Sequence, residues 1–275
     1  MEPFVLQNKS IFSVEGWRKQ YPGLIAGMTT KNGGSSNGFF KELNLGFHVG
    51  DDQDAVYANR LKVAELIEFP LNCWVGAEQT HQVTIKKVTK ADVGKGADAY
   101  DHSFKDTDGF YTDEEGVLLT LCFADCVPLF FVAPDKRMIG TAHAGWKGTV
   151  HEISRHMVEA WGLEGIDPKQ IYVTIGPSIC EKCYIVDDNI INFVKNTLED
   201  TKEKPYNLVG DGQYSLDLRE VNRRILMKAG VPDENIAITG FCSSCDDRLF
   251  FSHRRDKGRT GRMLSFIGWK EAADL

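Results

Sequence analysis

No apolar run in this chain approaches the roughly 20 residues that a membrane-spanning helix needs, so no membrane partner is expected. The start, MEPFVLQNKS, has no basic stretch followed by an apolar one, so no signal peptide is expected. Cationic excess is also missing: the net charge of −7 repels a phosphate backbone and argues against nucleic acid, although a local basic patch can still hold a small anion. Neither an internal repeat nor a linker long enough to divide the chain is present, so one domain over residues 1–275 is expected. The seven cysteines make an odd count without an export signal, which excludes a disulfide framework and points to reduced thiols in a cytoplasmic protein. A small-molecule substrate and a monomer or homodimer fit these absences.

What is present alternates between strand and helix. Leu24–Thr30 reads as an early strand and Asn32–Gly38 as a Gly/Ser-rich loop. Asp51 or Asp52 caps a helix running to about Glu68, with Val56, Val63 and Ile67 on one face and Pro70 just beyond. Val83–Val88 is strand-like. Val117–Phe123 and Val127–Val132 are nearly continuous apolar runs, the pattern of strands buried on both faces, and Met138–His143 follows after a Pro-Asp turn. A helix is expected from about Lys147 to Trp161, since Val150, Ile153, Met157 and Trp161 recur at helical spacing. Ile171–Ile175 is a strand, helices follow Asp187 and Asp217, and Arg262–Ile267 closes the series. The fold class is α/β, a mixed β-sheet core covered by helices, and the alternation is too irregular for an eight-fold barrel.

Two segments join strong apolar strands to turns, which is where polar chemistry sits in such folds. One is Phe123-Ala124-Asp125-Cys126-Val127-Pro128, and the other runs from Gly140 to Gly148 through His143. With His81, from Glu78-Gln79-Thr80-His81-Gln82, they supply two imidazoles and a thiolate. That set suits zinc, with bonds of roughly 2.0–2.3 Å, and three protein ligands leave the fourth position open, as catalytic zinc requires. Zn²⁺ with one thiolate keeps a net positive charge, which favours hydroxide or an anionic oxygen there. Spacing alone does not single out these residues: there is no HExxH or finger pattern, and a lone histidine is more often a surface or hydrogen-bonded core residue.

The same segments carry a resemblance. Ala124-Asp125-Cys126-Val127-Pro128 and Gly140–Gly148 resemble motifs of the bacterial polyphenol oxidase or laccase-domain family, whose members are read as purine nucleoside phosphorylases with adenosine deaminase activity. Asn44-Leu45-Gly46, His48-Val49-Gly50-Asp51-Asp52, Gln79-Thr80-His81, Ile175-Gly176-Pro177-Ser178-Ile179, and the stretch from Phe250 to Asp256 with Thr260-Gly261-Arg262-Met263 are similar to further family motifs, in the family's order. The chain departs from the commoner pattern at Gln82, where glycine is usual, and at Cys180. The resemblance implies metal ligation by His81, Cys126 and His143. It also implies a layered α/β sandwich related to deamidating-toxin catalytic domains, and zinc-dependent phosphorolysis of adenosine, inosine or S-methyl-5'-thioadenosine with adenosine deamination.

The residues can be matched to those reactions. Deamination needs a nucleophilic water and a carboxylate to move protons. Asp125 is the candidate carboxylate, with the alternative that it only orients a ligand. Phosphorolysis needs a held phosphate. Arg254 and Arg255 offer bidentate grips, Lys147 sits at an expected helix start, and Asn32–Gly38 offers backbone N–H groups. Asn44 and His48 fall in motifs and are expected to contact substrate. Three alternatives stay open. A Cys126/His143 dyad could serve a cysteine hydrolase. The His₂Cys set could hold copper as a polyphenol oxidase, although a multicopper enzyme needs many more histidines than the remaining His48, His102, His151, His156 and His253. The set could also be a closed structural metal site, which would need a fourth ligand. Cys180-x-x-Cys183 and Cys242-x-x-Cys245 would together suit a structural zinc, but the 58 residues between the pairs exceed any zinc ribbon, so they are expected to be ordinary thiols. Trp146, Phe250 and Phe251 are expected in the core rather than against a purine.

Overall fold

The computed structural model describes residues 2–198 and 203–271. In chain order the regular elements are β1 (Phe4–Asn8), β2 (Ile11–Val14), α1 (Glu15–Gln20), β3 (Leu24–Thr29), α2 (Gln53–Ile67), β4 (Trp74–Val75), β5 (Ile85–Lys87), β6 (Gly109–Thr112), β7 (Leu118–Phe123), β8 (Val127–Ala133) and β9 (Met138–Ala144). They continue with α3 (Trp146–Val150), α4 (Ile153–Leu163), β10 (Tyr172–Ile175), β11 (Ile185–Asp187), α5 (Asp188–Leu198), β12 (Tyr206–Gly210), β13 (Gln213–Leu216), α6 (Leu218–Lys228), β14 (Ile236–Ile238) and β15 (Met263–Trp269).

The expected single mixed sheet is in fact two six-stranded sheets and a three-stranded one. The first sheet runs β1-β2-β3-β15-β7-β4, antiparallel except for the parallel β7–β4 pair. The second runs β14-β10-β8-β9-β6-β5, antiparallel in the middle and parallel at both edge pairs. The third, β11-β13-β12, is antiparallel.

The apolar runs explain why two sheets form. Successive strand residues face opposite ways, so a continuous run must be covered on both faces. On β8, Leu129 and Phe131 pack beneath Met157 and Trp161 of α4, Val194 of α5 and Ile225 of α6. The alternate residues Phe130 and Val132 meet Phe12, Met28, Leu121 and Phe123 of the first sheet. The outer face of that first sheet, through Leu118, Leu264 and Phe266, is closed by Val63, Ala64 and Ile67 of α2. The layers are therefore helix, sheet, sheet, helices.

Helix ends follow the caps. Asp52 accepts the N–H groups of Asp54 and Ala55 to start α2, which stops where Glu68 turns left-handed (φ 51°). Asp217 accepts those of Arg219 and Glu220 to start α6. The helix expected over Lys147–Trp161 is broken in two, because Glu152 takes a positive φ of 60°. The stripe survives the break: Val150, Ile153, Met157 and Trp161 all reach one core.

Candidate active site

The turn at residues 124–126 carries the chain from β7 of the first sheet to β8 of the second and places Cys126 at the rim between them. Its middle residue, Asp125, has φ 88°, a conformation costly for a side chain with a Cβ. Three bonds hold it there. The Asp125 carbonyl accepts the Ile179 N–H at 3.0 Å, and its two carboxylate oxygens accept the Ser243 hydroxyl at 2.6 Å and the Arg254 N–H at 2.7 Å. Cys126 is half-buried, and the next residues pair with the end of β9, Pro128 opposite His143. Because β8 and β9 are antiparallel, the beginning of one lies beside the end of the other, and Cys126 and His143 converge.

His81 arrives on a loop and has a positive φ of 61°. One buried carboxylate fixes that loop. Asp108, fully buried ahead of β6, accepts the N–H groups of Thr80 (3.2 Å), His81 (3.1 Å) and Gln82 (2.9 Å). It also accepts His143 Nδ1 at 2.8 Å, which leaves the other ring nitrogen free to face the thiol. Gln79 adds a second anchor, its amide bonding both the N–H and the carbonyl of Cys122. The His81 and His143 rings meet edge to face, 4.7 Å between centroids. The donor atoms of His81, Cys126 and His143 all lie within 4.8 Å of one another.

Gly145 closes the back of the cluster. A Cβ there would sit 2.9 Å from His81 Cδ2 and 3.1 Å from Cys126 Sγ, so only glycine lets the backbone approach. Charge follows geometry. Burial opposes ionisation of the Cys126 thiol, but His143 and then His81 outweigh it and hold the thiol at about 6. Burial likewise opposes charge on His143, yet the Cys126 thiolate and the Asp108 carboxylate raise it to about 9. A depressed thiol, two converging imidazoles and a carboxylate on the far nitrogen of one of them are the donor chemistry of a thiolate–histidine metal site.

The cluster opens onto a cavity of about 430 Å³, within the roughly 300–1,000 Å³ of small-molecule pockets. Arg254 and Arg262 supply positive charge to its wall, and Tyr100, Tyr184 and Trp146 supply ring faces. The Arg254 guanidinium lies 5.0 Å over the Tyr184 ring and donates to the Ile185 carbonyl at 2.8 Å. Burial pushes the Tyr184 phenol up, so it keeps its proton. His48 faces the same space. Its ring has solvent access but is hemmed in by protein, and that desolvation, with Arg262 and Arg60, lowers it to about 4.

Several expected residues stand elsewhere. Asn44 does not line the cavity. It is fully buried, its oxygen accepts the Gly46 and Arg262 N–H groups and its amide donates to Asp51, so it shapes the loop that presents His48 and Arg262. Arg60 of α2 serves the same loop, donating twice to the Leu45 carbonyl. Arg255 is committed to Asp256 and to the carbonyls of Ser243, Ser244 and Phe250, so it is not a free anion grip. Lys147 is exposed and outside the cavity, its ammonium 5.7 Å over the Trp146 ring. Trp146, expected in the core, lines the cavity instead, whereas Phe250 and Phe251 are core residues. None of the motifs singles out Asp108. The available signal is a carboxylate next to Gly109 at the head of an apolar strand, where an acid is buried only if it has several donors.

Residues 25–270 match the family described as multi-copper polyphenol oxidoreductase laccase. A curated relative from Geobacillus stearothermophilus, named purine nucleoside phosphorylase YlmD, is 51% identical over 261 residues, which is 93% of this chain and 95% of the relative. One of the same name from Bacillus subtilis is 48% identical over 98% of both chains. The crystal structure of the Geobacillus protein superposes with a TM-score of 0.95 at 48% identity, covering 98% of this chain and all of that one. The Neisseria meningitidis protein NMB0706 gives 0.80 at 26% identity, with coverage of 98% and 100%.

Proposed function

The chain belongs to the polyphenol oxidoreductase laccase family, and from that premise we propose that it is a zinc-dependent purine nucleoside phosphorylase, with adenosine deamination at the same centre. The observation that carries this reading is an open three-donor cluster on the wall of a cavity that also holds two guanidiniums and three aromatic rings. The names of the curated relatives support it. Against a multicopper oxidase stands a count: all seven histidines are among the described residues, and only two of them join a group able to hold a metal there.

A divalent ion on His81, Cys126 and His143 would supply Lewis acidity to water or to an anionic oxygen. The chain's own residues do the rest. Asp108 orients His143 and fixes the His81 loop. Arg254 and Arg262 neutralise phosphate and the charge that gathers as the glycosidic bond breaks. The protonated Tyr184 hydroxyl and the neutral His48 ring offer hydrogen bonds to sugar or base, and Tyr100 and Trp146 give the base an apolar face. Each Asp125 carboxylate oxygen already accepts one bond, which supports a positioning role over proton transfer. The preference among adenosine, inosine and S-methyl-5'-thioadenosine, and the cytoplasmic setting, belong to the same proposal. So does the single catalytic domain with its kinship to deamidating toxins.

The test is base release from adenosine and inosine, with and without phosphate, by wild type and Cys126→Ala. Ribose 1-phosphate that needs phosphate and disappears in the variant is the expected result. No release from either nucleoside, with metal bound, overturns the reading. A second reading has its own support: the lowered thiol beside a raised imidazole is a thiolate–imidazolium pair, the resting state of a cysteine hydrolase. That reading requires activity to survive a chelator, whereas the phosphorylase requires it to vanish and return with zinc. Return with copper alone, together with phenol oxidation, would select the oxidase.

A further inference from the structure

The expectation that the two Cys-x-x-Cys pairs are unrelated thiols does not hold. β10 and β14 are parallel neighbours, Val173 beside Ile236, so the segments that follow them leave the same edge of the second sheet side by side. Ser178 and Cys242 pair in a further parallel bridge, and the Ser243 N–H reaches the Ser178 carbonyl at 3.0 Å. The 58 residues between the pairs are taken up by β11, α5, β12, β13 and α6, so the distance in sequence says nothing about distance in space.

The four sulfurs form one group, all within 4.8 Å of one another. Cys245 Sγ lies 3.8 Å from Cys180 Sγ and 3.4 Å from Cys183 Sγ. A tetrahedron with Zn–S bonds of about 2.3 Å has edges of about 3.8 Å, whereas a disulfide brings its sulfurs to about 2.0 Å. The backbone is arranged for anionic sulfur as well. Cys242 Sγ accepts the N–H groups of both Cys180 and Cys245, each at 3.3 Å. Each pair is closed into a tight turn, by Cys183 N–H to the Cys180 carbonyl at 3.0 Å and by Asp246 N–H to the Cys242 carbonyl at 2.9 Å.

We propose that Cys180, Cys183, Cys242 and Cys245 bind a structural zinc ion as a closed tetrathiolate. The four thiols release their protons to solvent as the ion binds. A complete set of protein ligands leaves no open position, and soft tetrahedral sulfur selects zinc over the hard cations. The role follows from the place. Residues 239–262 contain no helix or strand between β14 and β15, a length that rarely holds its shape unaided. Yet this stretch presents Arg254 and Arg262 to the cavity, and Ser243 to the Asp125 carboxylate. The zinc ties the start of that stretch to the end of β10.

Metal analysis of the full chain, prepared in reductant and dialysed against zinc, tests this without any assay of catalysis. Wild type is expected to hold two zinc ions per chain, and Cys126→Ala one. X-ray absorption of that remaining zinc in Cys126→Ala is expected to show four sulfur neighbours, and its cobalt form the charge-transfer bands of a tetrathiolate. Cys180→Ser with Cys245→Ser is expected to lose this ion and several degrees of thermal midpoint. Should the double variant fail to fold, the Cys126→Ala spectra still decide. Cys126→Ala without metal and with all six remaining thiols titratable, or with disulfides between the pairs, or with iron in place of zinc, overturns the proposal.

Discussion

The two sulfur-bearing clusters are built in opposite ways. His81, Cys126 and His143 come from a loop, an inter-sheet turn and a strand end, and what brings them together is a carboxylate that binds no metal itself. Cys180, Cys183, Cys242 and Cys245 come from two turns on adjacent strands and need no outside organiser. The first offers three donors and opens on a cavity. The second offers four and borders none of the cavities described for the chain. Their thiols are also tuned in opposite directions: Cys126 is lowered to about 6 by the two imidazoles against burial, while Cys245 is raised, first by its hydrogen bond with Cys183. Imidazoles ionise a thiol before any ion arrives. A nest of thiols must wait for the metal to displace its protons. The difference separates a centre prepared for chemistry from one that braces the chain.

The sharpest way to break this comparison is through Asp108. If it organises only the first cluster, Asp108→Asn should lower metal affinity and nucleoside turnover by about 10–100-fold, the cost of losing a carboxylate behind a ligand histidine. The tetrathiolate zinc should stay bound. Asp108→Ala should go further and destabilise the fold by about 3–5 kcal/mol, because three N–H groups and His143 lose a buried partner. Equilibrium unfolding and metal analysis read the two effects separately. Loss of both metals in Asp108→Asn would mean that the clusters are not independent.

The opposite tuning of the thiols gives the next test. In chelator-stripped protein, alkylation of Cys126 should rise with pH through a midpoint near 6, because a lowered thiol is already thiolate above that value. An ordinary thiol has a midpoint of about 8.5, so at pH 7 the thiolate population of Cys126 should be roughly 30-fold larger. Cys245 should react only at higher pH. Peptide mapping after a short exposure to iodoacetamide distinguishes them. Equal labelling at pH 7 would remove the contrast.

Much of the fold was legible because its signals are local. The Asp52 and Asp217 caps, the paired apolar runs of β7 and β8, and the stripe on α4 depend on residues within a few positions of one another. The doubling of the sheet was not legible, since a run buried on both faces looks the same whether a helix or a second sheet covers it. The ligands were legible through resemblance, not spacing, and Asp108 was not legible at all, because its work lies in backbone N–H groups 26 to 28 residues away. The cysteine pairs show the reverse error. Their motif was plain, and the gap between them argued against it only because sequence distance stood in for spatial distance across a parallel β10–β14 pair.

Gly145 offers a smaller and cleaner perturbation of the first cluster. Its φ of −67° is open to any residue, so Gly145→Ala carries no backbone strain. The added methyl meets His81 and Cys126 and nothing that the second cluster uses. Metal affinity and turnover should fall by roughly 10-fold, within the range for disturbing a ligand's support, with the thermal midpoint nearly unchanged. A large fall in midpoint with normal metal content would place Gly145 in the fold instead.

The smallest effect is expected at Lys147, and it tests where the active region ends. Helix α3 has five residues, and Lys147 points its ammonium to the outer face of Trp146, away from the space lined by Arg254 and Arg262. A solvated ammonium outside the cavity has little to lose, so Lys147→Ala should change kcat/KM by less than about 2-fold, within the small range of ordinary surface substitutions. Arg254→Ala should raise the KM for phosphate by roughly 10-fold, the scale of one charge-assisted hydrogen bond. Phosphate titrations of the two variants place the anion. Equal losses would move it out of the cavity, to the mouth of α3, and would require a wider active region than the Asp108-organised cluster defines.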